Sequence, residues 1–153
     1  MGTRSTTTIY ENGKPLLTFY RQMDGYPSGH GQELVDFLRG IEMVNGISMG
    51  GDPPKLQQAN GAGCLAAQIL THFKTSVINY NYTQDGAKIR EGDNIGGIYV
   101  VPLGQTEQYN YGVKVNKHNK ISGISIITGE KQDGMVVHYS LDEYDGKAIE
   151  EAE

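Results

Sequence analysis

The chain has 153 residues, which favours a single domain spanning 1–153 that is long enough to bury a hydrophobic core. Its 18 acidic and 13 basic residues give a formal net charge of −5, which argues against a protein whose main partner is a nucleic-acid backbone. The single cysteine excludes an intrachain disulfide and is typical of a reducing cytoplasm, and the absence of an apolar run of about 18 residues argues against a membrane-spanning helix.

The first predicted element is a β-hairpin. Arg4 to Tyr10 has the serine, threonine, isoleucine and tyrosine content of a strand. Asn12-Gly13 is a pair that type I′ turns prefer, because both central residues need positive φ. Pro15 to Gln22 is the predicted returning strand. Folding about this turn could bring Arg4 close to Arg21.

A glycine-spaced loop then leads into the first predicted helix. The segment reads YRQMDGYPSGHGQELVDFL. A helix is predicted over about Gly31 to Arg39, because Leu34, Val35 and Leu38 fall on one face at helical spacing. The long stretch from Ile41 to Gln58, rich in glycine and proline, is predicted to be a loop, and such loops are often functional.

The loop Ser28-Gly29-His30-Gly31 predicts an anion site. The first amides of a helix have no partner within the helix, so they attract phosphate or carboxylate groups. Arg4 or Arg21 would supply the counter-charge, and Tyr26 could stack on a base. The alternative is that the glycines only permit a tight turn from strand to helix. His30 is accordingly either a ligand donor or general acid and base, or an exposed loop residue.

The second predicted helix begins in a similar way. Asn60-Gly61-Ala62-Gly63-Cys64 opens a helix predicted over about Gly63 to Lys74, whose nearly continuous apolar residues are typical of a buried helix. Two glycine-rich helix starts in one chain favour a single anion site, which the first loop and Asn60, Gly61 and Gly63 would form together.

The second half of the chain is predicted to be mostly β-structure. Its segments are rich in β-branched and aromatic residues. The predicted strands are Val77–Thr83, Ile95–Leu103, Tyr109–Val115, Ile121–Ile127 and Met135–Leu141. The acidic tail, Asp142 to Glu153, favours either a short helix or disorder. The whole pattern predicts an α+β fold, in which a mostly antiparallel sheet of about six to seven strands packs against two helices.

Cys64 supports a rival hypothesis of a cysteine hydrolase. A thiol at a helix N-terminus is a better nucleophile, and His138 or His30 would have to be its base. The arrangement resembles papain-like hydrolases, although the residues typical of that family around the cysteine are absent. The alternative is a small buried apolar cysteine. The four histidines and the cysteine show no metal-ligand spacing, so we predict no metal and no cofactor.

Three segments together resemble a family of uncharacterised small proteins of bacteria and their phages. They are GTRS near the start, YRQMDGYPSGHGQELVDFL and NGAGCLAAQILTHFK, and they cover about the first half of the chain. The resemblance implies that the hairpin and both glycine loops belong to one recurrent design. A phage origin would imply a role against host defence, as a sponge that captures a nucleotide signal.

These observations favour a non-enzymatic protein that binds a small anionic ligand, and we expect a nucleotide or a nucleotide-derived signal. We expect it in the cytoplasm, or in the host cytoplasm if a phage encodes it, with neither nucleic acid nor membrane as a partner. Alternatives are the hydrolase and a structural protein that forms homo-oligomers through strand edges and tyrosines. The predicted ligand residues are Arg4, Arg21, Tyr26, Ser28, Gly29, His30, Gly31, Asn60, Gly61 and Gly63.

Overall fold

The computed structural model of this chain describes residues 2–46, 56–81, 97–128 and 136–153, with the backbone alone for residues 76–81. These ranges contain eight strands, three α-helices and one turn of π-helix. The strands are β1 Ser5–Glu11, β2 Lys14–Arg21, β3 Ile41–Val44, β4 Gln57–Asn60, β5 Ile98–Val101, β6 Tyr109–Val115, β7 Ile121–Thr128 and β8 Val137–Tyr139. The helices are α1 Gln32–Arg39, α2 Gly61–Asn81 and α3 Gly146–Glu151, and the π turn is Pro27–Gly31.

The main sheet has six strands in the order β5-β2-β1-β6-β7-β8. All neighbours are antiparallel except β1 and β6, which run parallel. A second small sheet consists of β3 and β4 in parallel. This arrangement confirms the predicted α+β fold with a mostly antiparallel sheet.

The first hairpin forms about the predicted turn. Asn12 has φ +47° and Gly13 has φ +83°, the left-handed values that this turn needs. The amide of Asn12 also donates to the carbonyl of Val115, at 2.8 Å, so the turn is tied to the end of β6. The central strand β1 is therefore fixed to both of its neighbours.

One face of the sheet, the inner face, packs against the helices. Alternate residues of a strand point to opposite faces, so each strand contributes every second side chain to this core. The buried residues that meet there include Ile9, Phe19, Val113 and Ile124 from the sheet and Leu34, Leu65, Ile69 and Phe73 from the helices. The opposite, outer face carries Thr6, Thr8, Thr18 and Asn110, whose side chains hydrogen-bond in pairs across neighbouring strands.

Two predicted elements were wrong. The predicted strand Val77–Thr83 is helical as far as Asn81, where the described range ends. No glycine or proline interrupts residues 64–81, so the cooperativity of helix extension outweighs the β propensity of valine and tyrosine. The predicted loop Ile41–Gln58 contains β3 and the first two residues of β4, and its residues 47–55 lie outside the described ranges. The alternation of buried Ile41 and Met43 with exposed Glu42 was the missed signal.

The acidic tail is ordered and adds a third helix to the two that were predicted. Asp145 caps α3 by accepting hydrogen bonds from the amides of Lys147 and Ala148, at 3.1 and 3.2 Å. Tyr144 is buried against the core. The first residues of two predicted strands, at 95–96 and 135, lie outside the described residues. No helix within the described ranges is both long enough and apolar enough to cross a bilayer.

Candidate functional site

The π turn that precedes α1 already uses most of its amides within the protein. The amide of His30 donates to the carbonyl of Asp24, at 2.7 Å, and that of Gly29 donates to Tyr26, at 2.9 Å. The amide of Ser28 donates to the carboxylate of Glu150 in α3, also at 2.7 Å. The position at which an anion was predicted is thus occupied by a carboxylate of the chain itself.

At Gly31, the side chains of two tyrosines lie close against the backbone of the π turn. A Cβ at this position would overlap the hydroxyl of Tyr144 and would lie 2.9 Å from Cε1 of Tyr111. Both hydroxyls are satisfied at once, since Tyr144 donates to the carbonyl of Pro27 and Tyr111 to that of Gly25, each at 2.7 Å. Burial is the main cause that raises the pKa of both phenols. The glycine therefore makes room for the protein's own tyrosines.

His30 is fully buried beneath this turn and is not an exposed loop residue. Its Nε2 lies 2.6 Å from Oγ1 of Thr7, and its Nδ1 lies 3.2 Å from Nη1 of Arg21. The rings of Phe73 and Tyr111 pack against it, with centroids 4.5 and 5.4 Å away. Burial, and then the charge of Arg21, lowers the pKa of His30 well below its usual value. The imidazole is accordingly neutral.

The direction of these hydrogen bonds decides what His30 can do. A guanidinium can only donate, so Nδ1 must accept and Nε2 must carry the proton. Nε2–H then donates to Thr7. A base that activates a hydroxyl must accept from that hydroxyl, so this pair cannot act as a nucleophile and base in the observed state. The contact holds the π turn to β1.

Arg21 and Arg4 lie on opposite faces of the sheet. Arg21 is buried on the inner face, where Nη1 lies 2.6 Å from Oε2 of Glu33. Its Nη2 lies 3.9 Å from Asp24, and its guanidinium also lies over the ring of Phe73, 5.6 Å from the centroid. Arg4 is exposed, and its charge acts on the hydroxyl of Tyr20 on the outer face. The two arginines therefore do not converge on one ligand.

The second glycine-rich helix start lies apart from the first. Phe73, which packs against His30, follows Gly61 by 12 residues, or about 18 Å along a helix. Gly61 has φ +83°, and a Cβ at Gly61 or Gly63 would meet no atom within 4 Å. Oδ1 of Asn60 accepts from the amide of Gly46, at 2.7 Å. The two starts do not form one cleft.

Cys64 has neither proposed base beside it. It is partly buried in the first turn of α2 and lines a groove of about 420 Å³ with Gln68 and Thr71. His30 packs against Phe73, nine residues further along α2. His138 pairs with Ser125 on the outer face, on the other side of the sheet. Neither histidine proposed as its base therefore lies beside Cys64, although His72, eight residues further along α2, lines the same groove.

The outer face has a groove that the sequence did not reveal. Its volume is about 450 Å³. Gly112 lies beneath it, and a Cβ there would lie 3.0 Å from Cε2 of Tyr10, so the glycine lets the Tyr10 ring lie across β6. The lining residues are Tyr10, Asn12, Gly13, Lys114, Val115, Asn116, Ser122, Ser125, Ile127 and Val136.

Lys114 supplies the positive charge of this groove. Its Nζ lies 2.8 Å from Nδ1 of His138, which must accept because an ammonium only donates. In the described part of the chain, no carboxylate lies within ion-pair distance of Lys114. Sequence reasoning missed this residue. The alternation Asn110, Gly112, Lys114 was visible, but it does not tell which strands lie beside β6.

No model of a protein family matches this chain, and none of the curated proteins or solved structures is significantly similar to it. The resemblance to small bacterial and phage proteins stays a prediction. The geometry of the site is therefore the main guide to function.

Proposed function

We propose that this protein is a binding protein, not an enzyme, and that it holds a small anionic ligand in the outer-face groove around Lys114. The observation that carries the proposal is an ammonium group in a concave site without an acidic partner in the described chain. A lysine that is not neutralised by the protein attracts an anion, and the partly enclosed position strengthens that attraction relative to open water.

The other lining groups suit a ligand of nucleotide type. The groove, at about 450 Å³, lies in the range of about 300 to 1,000 Å³ that small-molecule sites occupy. The hydroxyl of Ser125 can donate to a phosphate oxygen, whereas that of Ser122 donates to the carbonyl of Lys114, at 3.3 Å, and the ring of Tyr10 offers a face for a base. The phage resemblance favours a nucleotide-derived signal, bound in a reducing cytoplasm.

The glycine loops are not the site that we propose. The amides of Ser28, Gly29 and His30 donate to the protein's own acceptors, and Arg21 is held by Glu33. A ligand at that position would have to displace the carboxylate of Glu150. We do not propose the hydrolase, because neither His138 nor His30 lies beside Cys64.

The test is titration of the full chain by calorimetry. The panel is mononucleotides, cyclic mononucleotides and cyclic dinucleotides, with inorganic phosphate to test the charge alone. We expect at least one nucleotide to bind, and Lys114→Met to weaken it at least tenfold. Lys117→Met is the matched control, because Lys117 is an exposed lysine of the adjacent turn, and it should change the affinity less than twofold.

Two results would overturn the proposal. One is that no member of the panel binds or raises the melting temperature at about 1 mM, since a ligand specific for the native state stabilises it by mass action. The other is that Lys114→Met and Lys117→Met bind the nucleotide with equal affinity, which would show that the ligand does not bind in the groove. Circular dichroism of both variants checks that they are folded.

A further inference from the structure

The strand β5 forms one edge of the main sheet. Among the strands that the structure describes, it pairs only with β2. Three large apolar side chains of this segment are exposed: Tyr99 at 46%, Val100 at 54% and Leu103 at 54%. Leu16, which precedes the paired part of β2, is exposed at 39%. Within the described ranges, this edge therefore combines backbone groups that no strand pairs with and apolar surface.

The same edge lacks the charges that usually prevent strands from pairing between molecules. Edge strands of monomeric proteins are commonly protected by lysine or other charges, by proline or by a bulge. Residues 97–104 read GIYVVPLG and contain no charged residue. Pro102 lies just after the strand, so it limits the length of pairing without blocking Ile98–Val101. The opposite edge, β8, has three residues and carries His138 beside Lys114.

We propose that two copies of this chain pair through β5, antiparallel about a two-fold axis near Val100, to form one continuous sheet. With this axis, Val100 lies opposite Val100 of the second copy, and Tyr99 lies opposite Val101. A second copy fits because an uncharged apolar edge meets its own copy without like-charge contact. An isologous contact also closes after two subunits and leaves no further copy of this edge free.

The size of the surface sets the strength of the dimer. A stable interface buries about 800 Å² per partner, and four strand residues with the side chains of Leu16 and Leu103 supply less than that. We therefore expect a weak dimer, whose fraction rises with the protein concentration. This inference does not depend on the proposed ligand, because the groove lies on the outer face at β6 and β7.

The test is sedimentation velocity of the full chain from about 10 µM to about 1 mM, without added ligand. Val100→Lys places two ammonium groups opposite each other at the axis and should raise the dimer dissociation constant at least tenfold. Val137→Lys is the matched control, since Val137 lies on the other edge at 40% exposure, and it should change the constant less than twofold.

A charge exchange tests the two-fold geometry. Val100→Lys and Val100→Glu should each be monomeric when alone and should form a dimer when mixed, because opposite charges then meet at the axis. A monomeric wild-type chain at about 1 mM would overturn the proposal. So would an equal or larger effect of Val137→Lys, or a mixture that stays monomeric. Circular dichroism of each variant confirms that a lost dimer is not a lost fold.

Discussion

Nη1 of Arg21 lies 3.2 Å from Nδ1 of His30, and this contact fixes which nitrogen of the imidazole carries its proton. Because the guanidinium only donates, the proton is on Nε2, where it reaches Thr7. The buried ring is held neutral between a cation and a hydroxyl. A histidine in a glycine loop, which by its sequence resembles a ligand group, is here a structural link between the π turn and β1.

The stability of the fold should depend on pH through His30. Its folded-state pKa is depressed below the unfolded value of about 6.5, so the unfolded chain binds the proton first on acidification. The contribution is complete above about pH 6.5 and is lost as the pH falls towards the folded-state pKa, by up to about 1.4 kcal/mol per pH unit. Urea unfolding of the wild type and of His30→Gln at several pH values between about 7.5 and 5 measures it.

The glutamine variant is the control, because it keeps every other ionisable group of the wild type. Its amide can donate to Thr7 and accept from Arg21, but it does not titrate. The free energy of unfolding of His30→Gln should therefore fall less steeply below pH 6.5 than that of the wild type. Parallel curves would contradict the assignment of a depressed pKa to His30.

The hydrogen bond between His30 and Thr7 should be visible as an energetic coupling. Thr7→Val keeps the shape of the side chain but leaves the buried Nε2–H without an acceptor, at a cost of about 1–3 kcal/mol. On a His30→Phe background the same change should cost much less, since no donor remains to be satisfied. Denaturant unfolding of the four proteins gives the coupling energy, and additive effects would show that the bond contributes nothing.

Two glycine-to-alanine substitutions should have opposite effects. Gly31→Ala forces a methyl group against the hydroxyl of Tyr144 and the ring of Tyr111, so we expect a loss of about 1–3 kcal/mol of stability. Gly63→Ala lies in α2 with open space around it, so its better helix propensity should add about 0.5–1 kcal/mol. Thermal unfolding compares the two. If Gly31→Ala left the stability unchanged, the C-terminal segment that carries Tyr144 would be able to shift away from the added methyl group at little cost in free energy.

Cys64 should react independently of His138, one of the two histidines that were considered as its base. His138 lies across the sheet from it, so His138→Gln should change the rate of alkylation by iodoacetamide at neutral pH less than twofold. Mass spectrometry of timed samples gives the rate. A tenfold fall in the variant would instead support a catalytic pair and the hydrolase hypothesis.

Local patterns in the sequence sufficed for elements that local interactions determine. The Asn12-Gly13 pair specified the first hairpin, because the turn residues themselves require positive φ. The helical spacing of Leu34 and Leu38 located α1. The overall fold class followed from these elements and from the β-rich second half of the chain.

The arrangement of the site could not be predicted, because it depends on contacts between distant parts of the chain. The spacing of Gly29 and Gly31 is the same whether the amides face a ligand or the protein. The groups that the turn actually contacts are Glu150 and Tyr144, which come more than 100 positions later in the chain. A regular register about Asn12-Gly13 would place Arg4 opposite Arg21, but a β-bulge between Ile9 and Tyr10 shifts the pairing by one residue, so that Ser5 pairs with Arg21 and Arg4 points to the other face.

The parallel pairing of β1 with β6 has a consequence for synthesis on the ribosome. Thr6 and Asn110 are 104 positions apart, so at about 5–20 residues per second the nascent β1 waits about 5–20 s for its second neighbour. Until the helices and β5 have also been made, the two-stranded hairpin stands alone and is marginal in water, and even then β1 lacks its partner on the β6 side. The backbone edge that later lies at the centre of the sheet is then open to other chains. We therefore expect slowed translation or missing chaperones to lower the yield of folded protein more than its final stability suggests.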